Sequence, residues 1–219
     1  MASARTSWSW PALADALAAG LGRASDAVEL EQAVRGLDSR RELELHPVLH
    51  AALREAGYGV HPEQRFPRDR VKRKRSEGAR CDIVVTPDGR PLVGDETQLG
   101  LFGPDAPVAL SDAVWIEVKV VAQFHELTPN RAYTQALQQP VWKDVTKLAA
   151  DPELTHALVL LIVFTADERV ATHDLDVWAS RARHLGLPLW PREQRTVPIG
   201  DRQGHRACTL ALFPIERPR

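Results

Sequence analysis

Residues 114–120 read Val-Trp-Ile-Glu-Val-Lys-Val, and this alternation narrows the possible folds of the chain more than any other stretch. Successive side chains on a strand point to opposite faces, so the pattern predicts a strand with one continuous apolar face. Glu117 and Lys119 fall on the other face, about 7 Å apart. Since charged side chains are rarely buried unless they are paired or functional, the pair indicates either a chemical site or a solvated face on an edge strand.

A second acid, Asp82, offers a partner for this pair. It lies in residues 81–85, Cys-Asp-Ile-Val-Val, which have the β-branched composition of a strand and run into a Thr-Pro-Asp-Gly turn. Asp82 and Glu117 together would bind a hard divalent cation, and the backbone carbonyl of Val118 would add another oxygen ligand. Lys119 would orient or help deprotonate an attacking water and offset charge on a phosphate. These residues predict metal-assisted hydrolysis of a phosphodiester.

An Asp on one strand followed by Glu-x-Lys on the next resembles the PD-(D/E)xK nuclease superfamily, over about residues 41–165. Cys81 stands where the superfamily motif has proline. The resemblance implies an α/β protein with a restriction-endonuclease-like core, in which helices flank a central mixed β-sheet. It also implies a DNA nuclease with Mg²⁺ or Mn²⁺ as cofactor and with Asp82, Glu117 and Lys119 as catalytic residues. Such proteins act in bacterial defence or repair, often beside a separate motor or recognition subunit.

The first helix of many superfamily members offers a glutamate to the metal site. Apolar periodicity predicts a helix over about residues 41–56, and because Pro47 is acceptable only in the first turn, the start is expected near residues 43–44. Glu44 is the first choice for that catalytic glutamate and Glu42 the second. The alternative is an acid that only interacts with the helix dipole. His46 and His50 have the spacing of a metal pair on this helix, but the glutamate of a metalloprotease motif is missing.

Residues 65–75 contain seven basic residues and one acid, in a chain whose net charge is −1. A cluster of this kind just before the Asp82 strand predicts phosphate contacts that do not read base sequence. The alternatives are a solvated or disordered charge run and a nuclear-localisation signal. The predicted nucleic-acid contacts are Arg68, Arg70, Lys72, Arg73, Lys74 and Arg75.

Residues 98–102, Gln-Leu-Gly-Leu-Phe, place three large apolar side chains in a loop rich in Gly, Pro and Asp. Exposed apolar clusters usually mark an interaction site. The pentapeptide resembles the Gln-Leu-x-Leu-Phe peptide with which bacterial replication and repair proteins bind the DNA sliding clamp. That resemblance implies clamp contacts from Gln98, Leu99, Leu101 and Phe102. The alternative is a loop that folds back, so that its apolar side chains cover the core or the site.

The rest of the chain suits one globular domain, residues 41–219, with a helical N-terminal extension over residues 1–40. Two short helices are predicted in the extension, at residues 11–21 and 26–37. A helix over residues 131–148 precedes a continuous apolar strand at 157–164, which suits burial on both faces. Residues 170–215 then predict a last helix and a terminal hairpin.

The sequence has no apolar run of the roughly 20 residues that a membrane helix needs, and its N-terminus makes a poor signal peptide. These features predict a cytoplasmic protein without a membrane partner. Two alternatives to the DNA nuclease stay open. One is a catalytically silent nuclease-like module that bridges DNA and the sliding clamp, and the other is an RNA-directed nuclease.

Overall fold

A computed structural model describes residues 7–70, 78–94 and 106–216 of the chain. The protein is α/β, with a six-stranded mixed sheet flanked by helices, as the sequence predicts at this level. The helices are α1 (Trp10–Leu30), α2 (Glu42–Glu55), α3 (Tyr133–Ala149) and α4 (Glu168–His184). The strands are β1 (Gly59–Arg65), β2 (Arg80–Thr86), β3 (Val114–Ala122), β4 (Phe124–His125), β5 (Thr128–Pro129), β6 (His156–Thr165), β7 (Glu193–Pro198) and β8 (Ala207–Pro214).

The sheet has the strand order β1-β2-β3-β6-β8-β7, and the short β4 and β5 form a separate ribbon. Only β3 and β6 run parallel to each other, and the other neighbouring pairs of the main sheet are antiparallel. The strand that carries Glu117 and Lys119 is therefore an inner strand, hydrogen-bonded on both sides. Glu117 is only 3% exposed. The alternative interpretation of this stretch, an edge strand with a solvated charged face, is thus wrong.

The two faces of β3 pack against different helices, as its alternation predicts. Val114, Ile116 and Val118 belong to the buried cluster that α1 and α2 form with the sheet. Trp115 belongs to the cluster formed with α3 and α4 on the opposite face. Because β3 and its neighbour β6 are covered on both faces, any charged side chain in the middle of β3 must be held by partners inside the protein.

The N-terminal region forms one helix, α1, instead of the two short helices predicted. Gly20 does not interrupt it, because this glycine is the point at which α1 and α2 touch. A Cβ at Gly20 would collide with the Cβ of Ala52. Pro47 and Pro140 likewise lie inside α2 and α3 without ending them. Pro47 was expected in the first turn of its helix, but it lies beyond that turn.

The C-terminal elements follow the prediction closely. The apolar run forms β6 at the centre of the sheet, and β7 and β8 form the antiparallel hairpin beside it. The last helix begins at Glu168, earlier than predicted, because Asp167 caps it by accepting a hydrogen bond from the backbone N–H of Val170. Of the helices in the described ranges, none is both long and apolar enough to cross a membrane.

Candidate metal centre

Asp82 lies where β2 and β3 separate. The ladder between the two strands pairs residues 83–85 with residues 114–116 and does not extend to Asp82. The carboxylate of Asp82 instead accepts a hydrogen bond from the backbone N–H of Val118, with 2.7 Å between Oδ2 and N. A side chain thereby takes the place of a backbone ladder bond, and the Asp82 carboxylate is fixed at the end of the ladder.

Helix α2 brings two further ligand-forming side chains to Asp82. One potential ligand atom from each of Glu42, His46 and Asp82 lies within 4.8 Å of the other two. Glu42 and His46 are four residues apart and so share a face of the helix. His46 is only 7% exposed, and its Nε2 has no hydrogen-bond partner in the described part of the chain. Two carboxylates and one buried imidazole could together hold a metal ion.

The structure places Glu42, and not Glu44, beside this cluster. The carboxylate of Glu44 accepts a hydrogen bond from the backbone N–H of Arg41 at 2.6 Å and completes a capping box at the start of α2. Glu44 thus has a local role at the helix N-terminus, through a hydrogen bond rather than only through the helix dipole that the sequence alternative named. The first choice from the sequence therefore lies in the helix cap, and the second choice lies one turn from His46.

Glu117 lies beside the cluster and is held from the α3 side. The ammonium of Lys147 lies 2.6 Å from Glu117 Oε1 and also donates to the carbonyl of Arg80 at 2.9 Å. Burial is the main factor that raises the pKa of Glu117, to about 8, and the charge of Asp82 adds to the effect. Lys147 acts in the opposite direction. Glu117 is therefore a strongly desolvated carboxyl that depends on a nearby cation to ionise.

Lys119 connects the two sides of the site. Its Nζ lies 3.2 Å from Glu42 Oε1 on α2 and 3.4 Å from Asp144 Oδ2 on α3. It also donates to the carbonyl of Val118 at 2.7 Å, so this predicted metal ligand already accepts a hydrogen bond. Burial alone would lower the pKa of Lys119, but Asp144, Glu42 and Asp82 outweigh it and raise the pKa. The ammonium is consequently charged at neutral pH.

Three residues of the site were not chosen from the sequence: His46, Asp144 and Lys147. The signal for His46 is its spacing of four from Glu42 on one helix face. Asp144 and Lys147 are three apart on the helix that follows the Glu-x-Lys strand. The four carboxylates of Glu42, Asp82, Glu117 and Asp144 exceed the two ammoniums of Lys119 and Lys147, so the site has a net negative charge when all are ionised. A single divalent cation would balance that excess.

Only part of the predicted nucleic-acid and clamp contacts falls within the described residues. Arg68 is exposed, and its guanidinium lies 5.9 Å from the centre of the Phe66 ring. Arg70 donates to the carbonyl of Val93 at 3.2 Å, so it contributes to holding its own loop. The remaining predicted contacts lie outside the described residues: Lys72, Arg73, Lys74, Arg75, Gln98, Leu99, Leu101 and Phe102.

The two partners of the Glu42–Lys119 ion pair line different clefts. The larger has a volume of about 1090 Å³, and its lining includes three arginines and five acidic residues, among them Glu42. The smaller, about 470 Å³, is lined by Lys119 and by residues of α3. Glu42 therefore faces one cleft and Lys119 the other. The three arginines are Arg35, Arg40 and Arg41.

The buried pair of His205 and Asp38 looks like a catalytic dyad, but both ring nitrogens of His205 already have partners within the fold. His205 Nδ1 lies 2.8 Å from Asp38 Oδ2, and Nε2 accepts the backbone N–H of Phe124 at 2.9 Å. Because Nε2 accepts, the proton of the ring lies on Nδ1. Neither nitrogen is free to act as a base, so the pair fastens β4 and β8 to the segment after α1.

No protein-family profile matches this sequence, and searches of curated proteins and of solved structures also found no match. The chemistry of the site must therefore be judged from its own residues.

Proposed function

We propose that this protein is a metal-dependent nuclease with a restriction-endonuclease-like fold, and that DNA is its substrate. The observation that carries the proposal is the convergence of Glu42, His46 and Asp82, with ligand atoms within 4.8 Å of one another, beside the charged Lys119. A divalent cation, two or more carboxylates and a lysine are a set that suits metal-assisted hydrolysis of a phosphodiester. The Asp and Glu-x-Lys order on adjacent strands supports the same class.

The donor set favours Mn²⁺ over Mg²⁺ as the cofactor. Mg²⁺ binds oxygen ligands and keeps several waters, whereas an imidazole nitrogen suits transition metals better. His46 offers a buried nitrogen without a hydrogen-bond partner among the described residues, and coordination would satisfy it. Glu42, His46 and Asp82 would hold the ion, with Glu117 next to them. When bound, such an ion lowers the pKa of a coordinated water and polarises a phosphate oxygen.

The protein's own residues would position the substrate and balance charge. Lys119 has a raised pKa and therefore suits stabilisation of negative charge on the phosphate better than removal of a proton from water. Asp144 and Glu42 hold its ammonium between them. Burial raises the pKa of Glu117 to about 8 even with Lys147 beside it, so a bound cation would be needed to ionise Glu117 fully at neutral pH.

Of the two clefts beside the site, the smaller suits a polyanion better. Lys119 and Lys143 line it with one acid, Asp144, whereas five acidic residues accompany the three arginines of the larger cleft. Arginines and lysines that contact phosphate give affinity without reading sequence. A DNA strand lying across the Glu42–Lys119 pair would place its backbone at the metal centre. Association with a sliding clamp or a motor subunit, and a part in defence or repair, remain predictions from the sequence.

The proposal is tested by cleavage of linear, circular and single-stranded DNA in Mn²⁺, Mg²⁺ or EDTA. We expect wild-type protein to cut in Mn²⁺ and to be inactive in EDTA. Glu42→Gln should reduce the cleavage rate by at least about 100-fold, because it removes a ligand and a partner of Lys119. Glu44→Gln is the matched control two residues away, and it should retain activity because glutamine also completes a capping box.

Equal loss of activity in Glu42→Gln and Glu44→Gln would remove Glu42 from the site. If wild-type protein binds DNA but cuts nothing with any metal, the DNA- and clamp-binding module takes the place of the nuclease. Cleavage of RNA alone, in the same buffers, would instead establish the RNA-directed nuclease.

A further inference from the structure

The outer face of α3 carries a recess next to the candidate metal centre. Its volume is about 560 Å³, within the range of pockets that receive small ligands. The indole of Trp142 contributes to its wall, and the polar side chains around it are those of Arg68, Gln139, Lys143, Thr146 and Lys147. The recess belongs to none of the roles assigned so far, although it shares Gln139 and Lys143 with the cleft that contains Lys119.

The charge around the recess has one sign. Three of its lining residues are cationic, and none of the described residues that line it is acidic. Arg68 and Lys143 are exposed, so their charges face the solvent at its entrance. An aromatic surface bordered by cations is complementary to a nucleotide, whose base stacks on the ring and whose phosphates lie beside the cations.

The position of Lys147 connects the recess to the chemistry. Its Nζ lies 2.6 Å from Glu117, and the same side chain lines the recess, so Lys147 contacts both places. From Gln135 to Thr146, the lined face of α3 is about 16 Å long. A strand that crosses the Glu42–Lys119 pair can therefore continue along α3 to Trp142.

The indole of Trp142 also carries an unpaired hydrogen-bond donor. Trp142 Nε1 is buried and has no hydrogen-bond partner among the described residues. A phenylalanine or leucine at this position would pack without that unsatisfied donor. Trp178 Nε1 is in the same situation, so the unpaired donor does not by itself mark Trp142 as a binding residue.

We propose that this recess receives one unpaired base of a single-stranded nucleic acid, stacked on Trp142, while the backbone runs past Lys143 towards the metal centre. This inference rests on the proposed nuclease function, because it gives the recess the same polymer as the site. Bases inside a duplex are stacked on each other and their faces are covered, so only a single strand or a frayed end fits. The substrate class is accordingly nucleic acid with single-stranded character.

Binding can be measured apart from cleavage, by fluorescence anisotropy of a labelled 12-nucleotide single strand in Ca²⁺. Trp142→Leu should weaken binding by about tenfold or more, and Trp142→Phe should restore most of the affinity. The matched control is Trp190→Leu, because Trp190 is 56% exposed and lines a different cavity. It should bind as wild type does. A duplex of equal length should be affected less than twofold by either leucine variant.

A scan of the strand with single abasic sites tests the recess without any variant of the protein. One position should lose about tenfold in affinity for wild-type protein, and the same abasic site should cause no further loss in Trp142→Leu. A flat scan, or equal losses in Trp142→Leu and Trp190→Leu, would overturn the inference. If wild-type protein binds the strand but cuts nothing in Mn²⁺, the proposed function fails, and the scan still decides about the recess.

Discussion

Two buried histidines, each beside an aspartate, occupy opposite situations in this protein. His205 is fully buried, and both of its ring nitrogens have partners, namely Asp38 and the backbone N–H of Phe124. His46 is almost as buried and lies with Asp82 and Glu42, yet its Nε2 has no hydrogen-bond partner in the described chain. The first residue is satisfied by the fold. The Nε2 of the second is not satisfied by any of the described residues.

The difference separates structural from functional burial. A buried polar atom without a partner destabilises a protein by about 1–3 kcal/mol. His50 Nε2 lacks a partner among the described residues as well, so it is the convergence of His46 with Glu42 and Asp82 that marks His46 for binding. Removal of His205 should therefore affect folding, and removal of His46 should affect what the protein binds.

The largest expected effect is on folding. His205→Ala leaves the Asp38 carboxylate buried without its partner and should lower the free energy of unfolding by about 3–5 kcal/mol. In the absence of metal, His46→Ala should lower it by less than His205→Ala does, because it leaves a cavity but takes no partner from a buried carboxylate. Urea denaturation in EDTA measures both variants. The reverse order of the two effects would refute the distinction between these histidines.

The second effect is the gain in stability from metal. At a Mn²⁺ concentration of 100 times Kd, wild-type protein should gain about 2.7 kcal/mol in its free energy of unfolding. His46→Ala should lose most of that gain, since it lacks one of three ligands. The control is His50→Ala, which removes the neighbouring histidine of α2 that is not in the cluster. If the two variants respond alike to Mn²⁺, His46 is not a ligand.

The smallest effect is the pH dependence of the free energy of unfolding in the metal-free protein. It extends the comparison of buried polar groups to Glu117. The folded pKa of Glu117 is about 8, raised by burial from 4.5, so its contribution to stability is fully present below pH 4.5 and is lost as pH rises to about 8. Wild-type stability should therefore fall by at least about 1 kcal/mol between pH 5 and pH 8, relative to Glu117→Gln. Denaturation curves at several pH values measure the difference, and parallel pH profiles for the two proteins would contradict it.

The parts of the fold that depend on local pattern were predictable from the sequence. The alternation in β3, the apolar run of β6 and the hairpin of β7 and β8 each follow from which side chains must be covered. The course of α1 was not predictable, because Gly20 is a local helix breaker whose real role is a contact with Ala52, on a different helix. Long-range packing of this kind leaves no mark in the nearby sequence.

The candidate site likewise contains residues that the sequence predicts and residues that it does not. Asp82, Glu117 and Lys119 lie on strands whose pairing the sequence indicates, and the structure brings them to one place. The choice between Glu42 and Glu44 depends on which carboxylate bonds to the Arg41 backbone, and this is decided only when the helix cap forms. The pairing of Lys147 with Glu117 joins residues 30 positions apart on different elements. Neither the choice of Glu42 over Glu44 nor the pairing of Lys147 with Glu117 could be predicted from residue spacing alone.

The central claim is that Glu42, His46 and Asp82 form a metal site, and pulsed electron paramagnetic resonance of bound Mn²⁺ tests it most directly. Wild-type protein should bind Mn²⁺ with a nitrogen coupling typical of a coordinated imidazole, and His46→Gln should lose that coupling. Wild-type protein that binds no Mn²⁺, or a nitrogen coupling that persists unchanged in His46→Gln, would contradict the claim.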